Sequence, residues 1–172
     1  MSPTYFVIAL AGLPGSGKTS IANAIATISP MHILSRDRIK RCLFGTHDAG
    51  IPQNVIAFDA ICNAVPVLGQ LARPFVIDGM TFGTDGQMER LQSIVENENG
   101  IVLPIFVEVD IELAKRRLEI PNPLEPVDRN PTLVDRVFKS FRTVPDNWYR
   151  LDGSEPPDDN ASTILGLLEN TK

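Results

Sequence analysis

Apolar positions along the chain fall into five compact runs, and amphipathic or polar stretches separate them. Residues 5–11, YFVIALA, show no alternation of polar and apolar positions, as in a strand covered on both faces. Residues 18–28 instead repeat with helical period, placing Ile21, Ala24, Ile25 and Ile28 on one face, and Pro30 ends that helix. A short strand is predicted at 32–35 and a helix from near Asp37 to Gly45. Residues 46–54 read as a loop and 55–72 as a helix that Pro66 should kink or shift.

Further strands are predicted at 74–78, at 101–109 with Pro104 as an irregularity, and at 148–151. The intervening helices cover 86–98, a stretch from Asp110 to about Leu118, and 132–142, and a last one spans 160–171. The proline-rich, charged stretch EIPNPLEPVDRNP at 119–131 reads as irregular loop.

Strands that alternate with helices specify an α/β fold. The expectation is a single domain over 1–172, a three-layer α/β/α sandwich with a mainly five-stranded parallel sheet. Crossovers in such sheets are right-handed, and ligands bind at the carboxyl ends of the strands. The 172 residues suffice to bury a core without metal or disulfide staples. Cys42 and Cys62 form no CxxC pattern, so buried thiols in a reducing cytoplasm are expected. The net charge of −5 argues against a general nucleic-acid binder. No apolar run approaches the roughly 20 residues of a membrane helix.

Chemistry enters at the first strand–helix junction. Gly12-Leu13-Pro14-Gly15-Ser16-Gly17-Lys18-Thr19 satisfies G-x-x-x-x-G-K-[ST] between a predicted strand and a predicted helix. Glycines let successive backbone N–H groups converge on phosphate oxygens, and the following helix start adds positive potential. In such a loop Gly12, Gly15, Ser16, Gly17, Lys18, Thr19 and Ser20 would cradle a nucleotide. Lys18 would reach the β- and γ-phosphates, and the Thr19 hydroxyl would ligate Mg²⁺. The chain has no guanine-specifying N-K-x-D and no strand ending in paired Asp-Glu, which favours a compact phosphotransferase over a switch or motor.

Asp37, after the second strand, is placed to accept a proton from an attacking hydroxyl. Capping of its helix is the competing role. Lys40, one turn on, would neutralise phosphate or orient the acceptor. Asp78, at the end of the third strand, should approach Thr19 and metal-bound water, or orient a cation near Asp37. Thr81 is a weaker candidate. Lys115-Arg116-Arg117 and Arg129 flank the proline-rich stretch. They suggest a lid around 112–136 whose arginines, Arg117 and Arg129 foremost and Arg116 as alternate, close over the transferring phosphate and exclude water.

The stretches GLPGSGKTS (12–20), SRDRIKRCLFG (35–45), VIDGMTF (76–82), DIELAKRRLE (110–119) and RLDGSEPPDDNASTILGLL (150–168) together resemble the P-loop kinase superfamily. The likeness is to the branch of polynucleotide 5′-hydroxyl kinases, tRNA-ligase kinase domains and small antibiotic phosphotransferases. It implies ATP and Mg²⁺ as cofactors, Asp37 as general base, Thr19 and Asp78 at the metal, Arg117 and Arg129 as lid cations, and Gly153 and Ser154 beside the adenine. Two departures stand out. Lys40 occupies the position three after the base where polynucleotide kinases of this type carry arginine, and the usual second lid arginine is missing near Ile120 and Pro121.

Three functions follow. The first is an ATP-dependent kinase acting on a hydroxyl of a small molecule such as a sugar, nucleoside or antibiotic, with Phe44, Ile51, Phe58 and Ile61 walling an acceptor pocket or packing in the core. The second, suggested by Arg36, Arg38, Lys40 and Arg41, is a polynucleotide or tRNA 5′-hydroxyl kinase. The third is a nucleotide-dependent switch or toxin-like partner protein.

Overall fold

The computed structural model describes residues 5–45, 51–83, 86–120, 129–141 and 143–170. Five strands, β1 (Tyr5–Ala11), β2 (His32–Ser35), β3 (Phe75–Asp78), β4 (Gly100–Glu108) and β5 (Tyr149–Asp152), form one sheet in the order β2-β3-β1-β4-β5. Every pairing is parallel. The described helices are α1 (Lys18–Ile28), α2 (Arg36–Phe44), α3 (Ile51–Gly69), α4 (Gln87–Asn97), α5 (Ile111–Leu118), α6 (Pro131–Ser140) and α7 (Pro157–Asn170).

The unbroken apolar run of β1 has a simple cause, since it is the middle strand and all seven of its residues are buried. Successive side chains point to opposite faces of a sheet. Tyr5, Val7, Ala9 and Ala11 accordingly pack with Phe58, Ile61 and Val65 of α3 and Met88, Leu91 and Val95 of α4. Phe6, Ile8 and Leu10 pack with Ile21 and Ile25 of α1 and Ile164 and Leu168 of α7. These are the two outer layers of the sandwich. A smaller cluster of Leu13, Ala114, Leu118 and Val134 seats α5 and α6 against the glycine-rich loop.

The start of α3 and the regularity of β4 at Pro104 differ from expectation. Helix α3 runs through Pro66 from Ile51 to Gly69, so 51–54 are helical and not loop. An internal proline costs about 3 kcal/mol, and the burial of Phe58, Ile61, Cys62 and Val65 in one core face offsets it. Pro104 stays in register opposite Ala9, and the β4–β5 ladder begins one residue later at Ile105. Cys62 is buried as expected, whereas Cys42 is exposed. Among the described residues no helix is long and apolar enough to cross a membrane. The lid segment expected around 112–136 includes 121–128, which lie outside the described residues.

Candidate active site

The carboxyl ends of the parallel strands share one edge of the sheet, and the predicted site residues gather there. The turn after β1 is the glycine-rich loop. Gly12 has φ 138° and Gly15 φ 81°, and a Cβ on either would lie 2.5 Å from a backbone oxygen, that of Val107 or of Ala114. Only glycine fits these two positions, on both steric and conformational grounds. The Gly12 N–H donates to the Thr81 carbonyl at 3.2 Å, which ties the loop to the segment after β3. Ser16 is fully buried, and Ser20, on the first turn of α1, is exposed.

Lys18 is 7% exposed and turns back into the loop. Its Nζ donates to the Gly12 carbonyl at 2.9 Å, the Leu13 carbonyl at 2.6 Å and Ser16 Oγ at 3.1 Å. Burial lowers its pKa from the usual lysine range to about 7; Asp78 and Asp37 oppose this, while Arg129 and Arg36 add to it. Those four charges therefore lie within electrostatic reach of one amine, although they come from three separate stretches of chain.

The sign of the consequence is definite. The buried ammonium is disfavoured in the fold, so its cost to stability is full below about pH 7 and is relieved as pH rises towards the ordinary lysine pKa of 10.5. A polyphosphate in the loop favours the charged amine and reverses the effect. Nucleotide affinity is expected to be highest below about pH 7. Above that it should decline by up to about tenfold per pH unit. Titration of a fluorescent nucleotide from mildly acidic to alkaline pH checks this, and a flat profile would show the amine charged throughout.

The Thr19 hydroxyl donates to both Asp78 oxygens, at 3.2 and 3.1 Å, and Asp78 is 2% exposed. A hydroxyl and a single carboxylate are hard oxygen donors that suit Mg²⁺, which takes one or two protein ligands and completes its shell with phosphate oxygens and water. Among the described residues there is no cluster of three or more His, Cys, Asp or Glu placed to hold a metal alone. Thr19 and Asp78 would hold the ion, and when bound it would neutralise charge on the β- and γ-phosphates.

Ser35 and Asp78 are register partners on β2 and β3, which brings Asp37 to the same edge. The N-cap of α2 is Ser35, whose hydroxyl accepts the Arg38 N–H at 3.5 Å, so capping does not occupy Asp37. Asp37 instead accepts from Arg36 Nη2 at 3.4 Å. Lys40 is 5% exposed and donates to Asn54 Oδ1 on α3 at 2.8 Å. Asn54 was hidden from sequence reasoning because residues 46–54 read as loop.

On the other side of the loop, Arg117 Nη1 donates to the Gly15 carbonyl at 3.2 Å. Arg116 is exposed, and Lys115 bridges Glu112 at 3.1 Å and Asp135 of α6 at 2.8 Å. After β5 the chain turns back onto the loop. Ser154 donates its N–H and hydroxyl to Asp152 Oδ1 at 2.8 and 2.6 Å, and these bonds, with Arg117 nearby, hold the Asp152 pKa below the usual range. Asp152 was not foreseen, although the D-G-S order that builds this turn is plain in the sequence. The Gly153 N–H donates to the Glu108 carbonyl at 2.6 Å.

A Cβ on Gly153 would lie 2.9 Å from the Glu108 carbonyl oxygen and closer still to that of Ser16. Gly153→Ala is therefore expected to destabilise the fold by about 1–3 kcal/mol and to weaken nucleotide binding. Gly166→Ala, inside α7 with nothing within 4 Å of the new methyl, should stabilise it by about 0.4–1 kcal/mol. Urea denaturation of the two variants checks both signs.

Phe58 and Ile61 lie in the core, at 4% and 0% exposure, and Phe44 is half-buried. The side chain of Ile51 lies outside the described residues.

A sequence profile of the AAA domain family matches residues 7–123. No protein of curated function matches the chain in sequence. The fold is that of P-loop kinases. It is similar to the APS kinase of Mycobacterium tuberculosis in complex with AMPPNP and APS, with TM-score 0.73, 16% identity, and 97% of this chain and 99% of that chain covered. It is similar to a gluconokinase from Sinorhizobium meliloti 1021, with TM-score 0.68, 15% identity, and 95% and 94% covered. A tunicamycin resistance protein of Deinococcus radiodurans shares the fold at TM-score 0.64 and 17% identity, with 98% and 96% covered.

Proposed function

The chain belongs to the AAA domain family, and on that premise we propose that it is an ATP-dependent kinase that transfers the γ-phosphoryl group to a hydroxyl of a small molecule. The observation that carries this reading is the convergence on Lys18. A carboxylate not needed as a cap, Asp37, lies across the strand ends from a phosphate loop whose lysine feels its charge.

In the proposed reaction the loop amides and Lys18 hold the β- and γ-phosphates. Asp37 accepts the acceptor's hydroxyl proton as the new O–P bond forms. The bond from the γ-phosphorus to the bridging oxygen breaks, and ADP leaves with that electron pair. Arg117 and Arg129 stabilise charge on the transferring group, and Lys40, held by Asn54, shapes the acceptor wall. Gly153 and Ser154 border the adenine. The transition state is loose, so positioning and charge stabilisation carry the catalysis.

Names among the similar structures support a small acceptor: a gluconokinase, an APS kinase, and a shikimate kinase from Acinetobacter baumannii in complex with shikimate. The cation cluster that suggested nucleic acid is divided by the fold. Lys40 is buried, Arg36 leans on Asp37 and Arg41 is half-buried, which leaves Arg38 as the exposed member. The test is a panel of hydroxyl metabolites and 5′-hydroxyl oligonucleotides, scored for ADP release and for a product heavier by one phosphoryl group. A phosphorylated metabolite supports the proposal. Phosphorylation of oligonucleotides alone would replace it with the polynucleotide reading.

A further inference from the structure

The acceptor side of the site carries a guanidinium that the reaction above leaves unused. Arg36 opens α2 beside the end of β3, where a Cβ on Gly79 would lie 3.4 Å from both its Cβ and its backbone nitrogen. Its side chain is 19% exposed. Nη2 reaches Asp37 Oδ1 at 3.4 Å, and Nε is buried without a hydrogen-bond partner among the described residues. A charge-assisted N–H···O bond normally runs about 2.7–2.9 Å. The guanidinium fork is thus loosely engaged, with one long bond where its edge offers two donors.

That one bond falls on the carboxylate assigned the proton. A cation resting on Asp37 Oδ1 competes with the incoming hydroxyl for a lone pair of that oxygen. Lys18 lies close enough for its charge and that of Arg36 to repel. Drawing the guanidinium aside frees that oxygen for the hydroxyl proton. A neutral polyol brings hydroxyls but no charge to do so.

We propose that Arg36 anchors an oxyanion on the acceptor, so that the acceptor is a hydroxylated carboxylate, phosphate or sulfate whose charge draws the guanidinium from Asp37 as its hydroxyl arrives. This rests on Asp37 being the base. The planar fork of arginine suits a two-oxygen grip that lysine cannot supply. Because residues 36 and 37 are adjacent, the charge and the reacting hydroxyl fit on one small molecule. Arg36 would touch the acceptor, and through Asp37 it would also make deprotonation depend on the acceptor's charge.

Calorimetry on the full chain saturated with Mg²⁺ and AMPPNP provides the test, with inorganic sulfate and acetate as tetrahedral and planar probes. The nucleotide analogue fills the phosphate loop and leaves Arg36 as the anion site. Saturable binding of at least one probe is expected, weakened about tenfold or more in Arg36→Gln and partly retained in Arg36→Lys. Asp37→Asn should tighten the same probe, because the competing charge is gone. A loss of folding in Arg36→Gln cannot produce that opposite shift. Tighter binding of sulfate marks a phosphate- or sulfate-bearing acceptor, and tighter binding of acetate a carboxylate. Probe binding that is equal in the parent and Arg36→Gln, or unimproved in Asp37→Asn, overturns the anchor alone. Failure of AMPPNP itself to bind would take down the kinase reading and the anchor with it.

Discussion

Asp37→Ala is expected to lower phosphoryl transfer by about 10²–10⁴-fold, the usual worth of a positioned general base, while AMPPNP affinity changes little. The structure makes this a clean substitution. Ser35, and not Asp37, caps α2, so the helix keeps its cap when the carboxylate is removed. The side chain is 24% exposed, so its loss opens no core cavity. What disappears is the acceptor for the hydroxyl proton and the partner of Arg36. ADP release with the acceptor found in the panel measures the first effect, and calorimetry with AMPPNP measures the second. Transfer at the parental rate would remove Asp37 from the role of base and leave it as a local partner for Arg36.

Lys18→Ala should also depress transfer, by about 10²–10³-fold as for loss of one preorganised electrostatic group, but with nucleotide affinity falling alongside. This lysine donates to the Gly12 and Leu13 carbonyls and to Ser16 Oγ at once. Truncation strips the site of the cation meant for the phosphates and leaves two loop carbonyls without that donor. It also removes a buried amine whose charged form the fold disfavours. Stability near neutral pH is therefore expected to fall less than the count of lost hydrogen bonds implies. The two variants separate on AMPPNP binding, which should be weakened in Lys18→Ala and preserved in Asp37→Ala. Undiminished binding by Lys18→Ala would show that the loop does not grip phosphate through this residue.

The strands and most helices were legible because their signals are local. YFVIALA is apolar at every position since it lies at the centre of the sheet, and Pro30 follows the Ser29 C-cap of α1. Legibility failed where burial elsewhere overrode a local rule. The stretch read as loop up to residue 54 is helical from Ile51, because α3 is one continuous helix whose face around Phe58, Ile61 and Val65 is committed to the core. The early start of α3 in turn brought Asn54 to Lys40, a partner no spacing rule could supply. Arg36 read as one member of a basic cluster, and its lean towards Asp37 emerged only once Ser35 took the cap.

By itself the order of residues determined the alternation of strands and helices and the phosphate loop, because periodicity, proline and glycine act over a few neighbouring residues. Tertiary structure alone decided the charge on Lys18 and the company it keeps. Desolvation lowers its pKa, with Arg129 and Arg36 adding to the effect and Asp78 and Asp37 opposing it, groups from separate stretches of the chain that the fold brings within reach of one amine. Coulomb interactions depend on distance through space and on the water excluded between charges, and folding sets both.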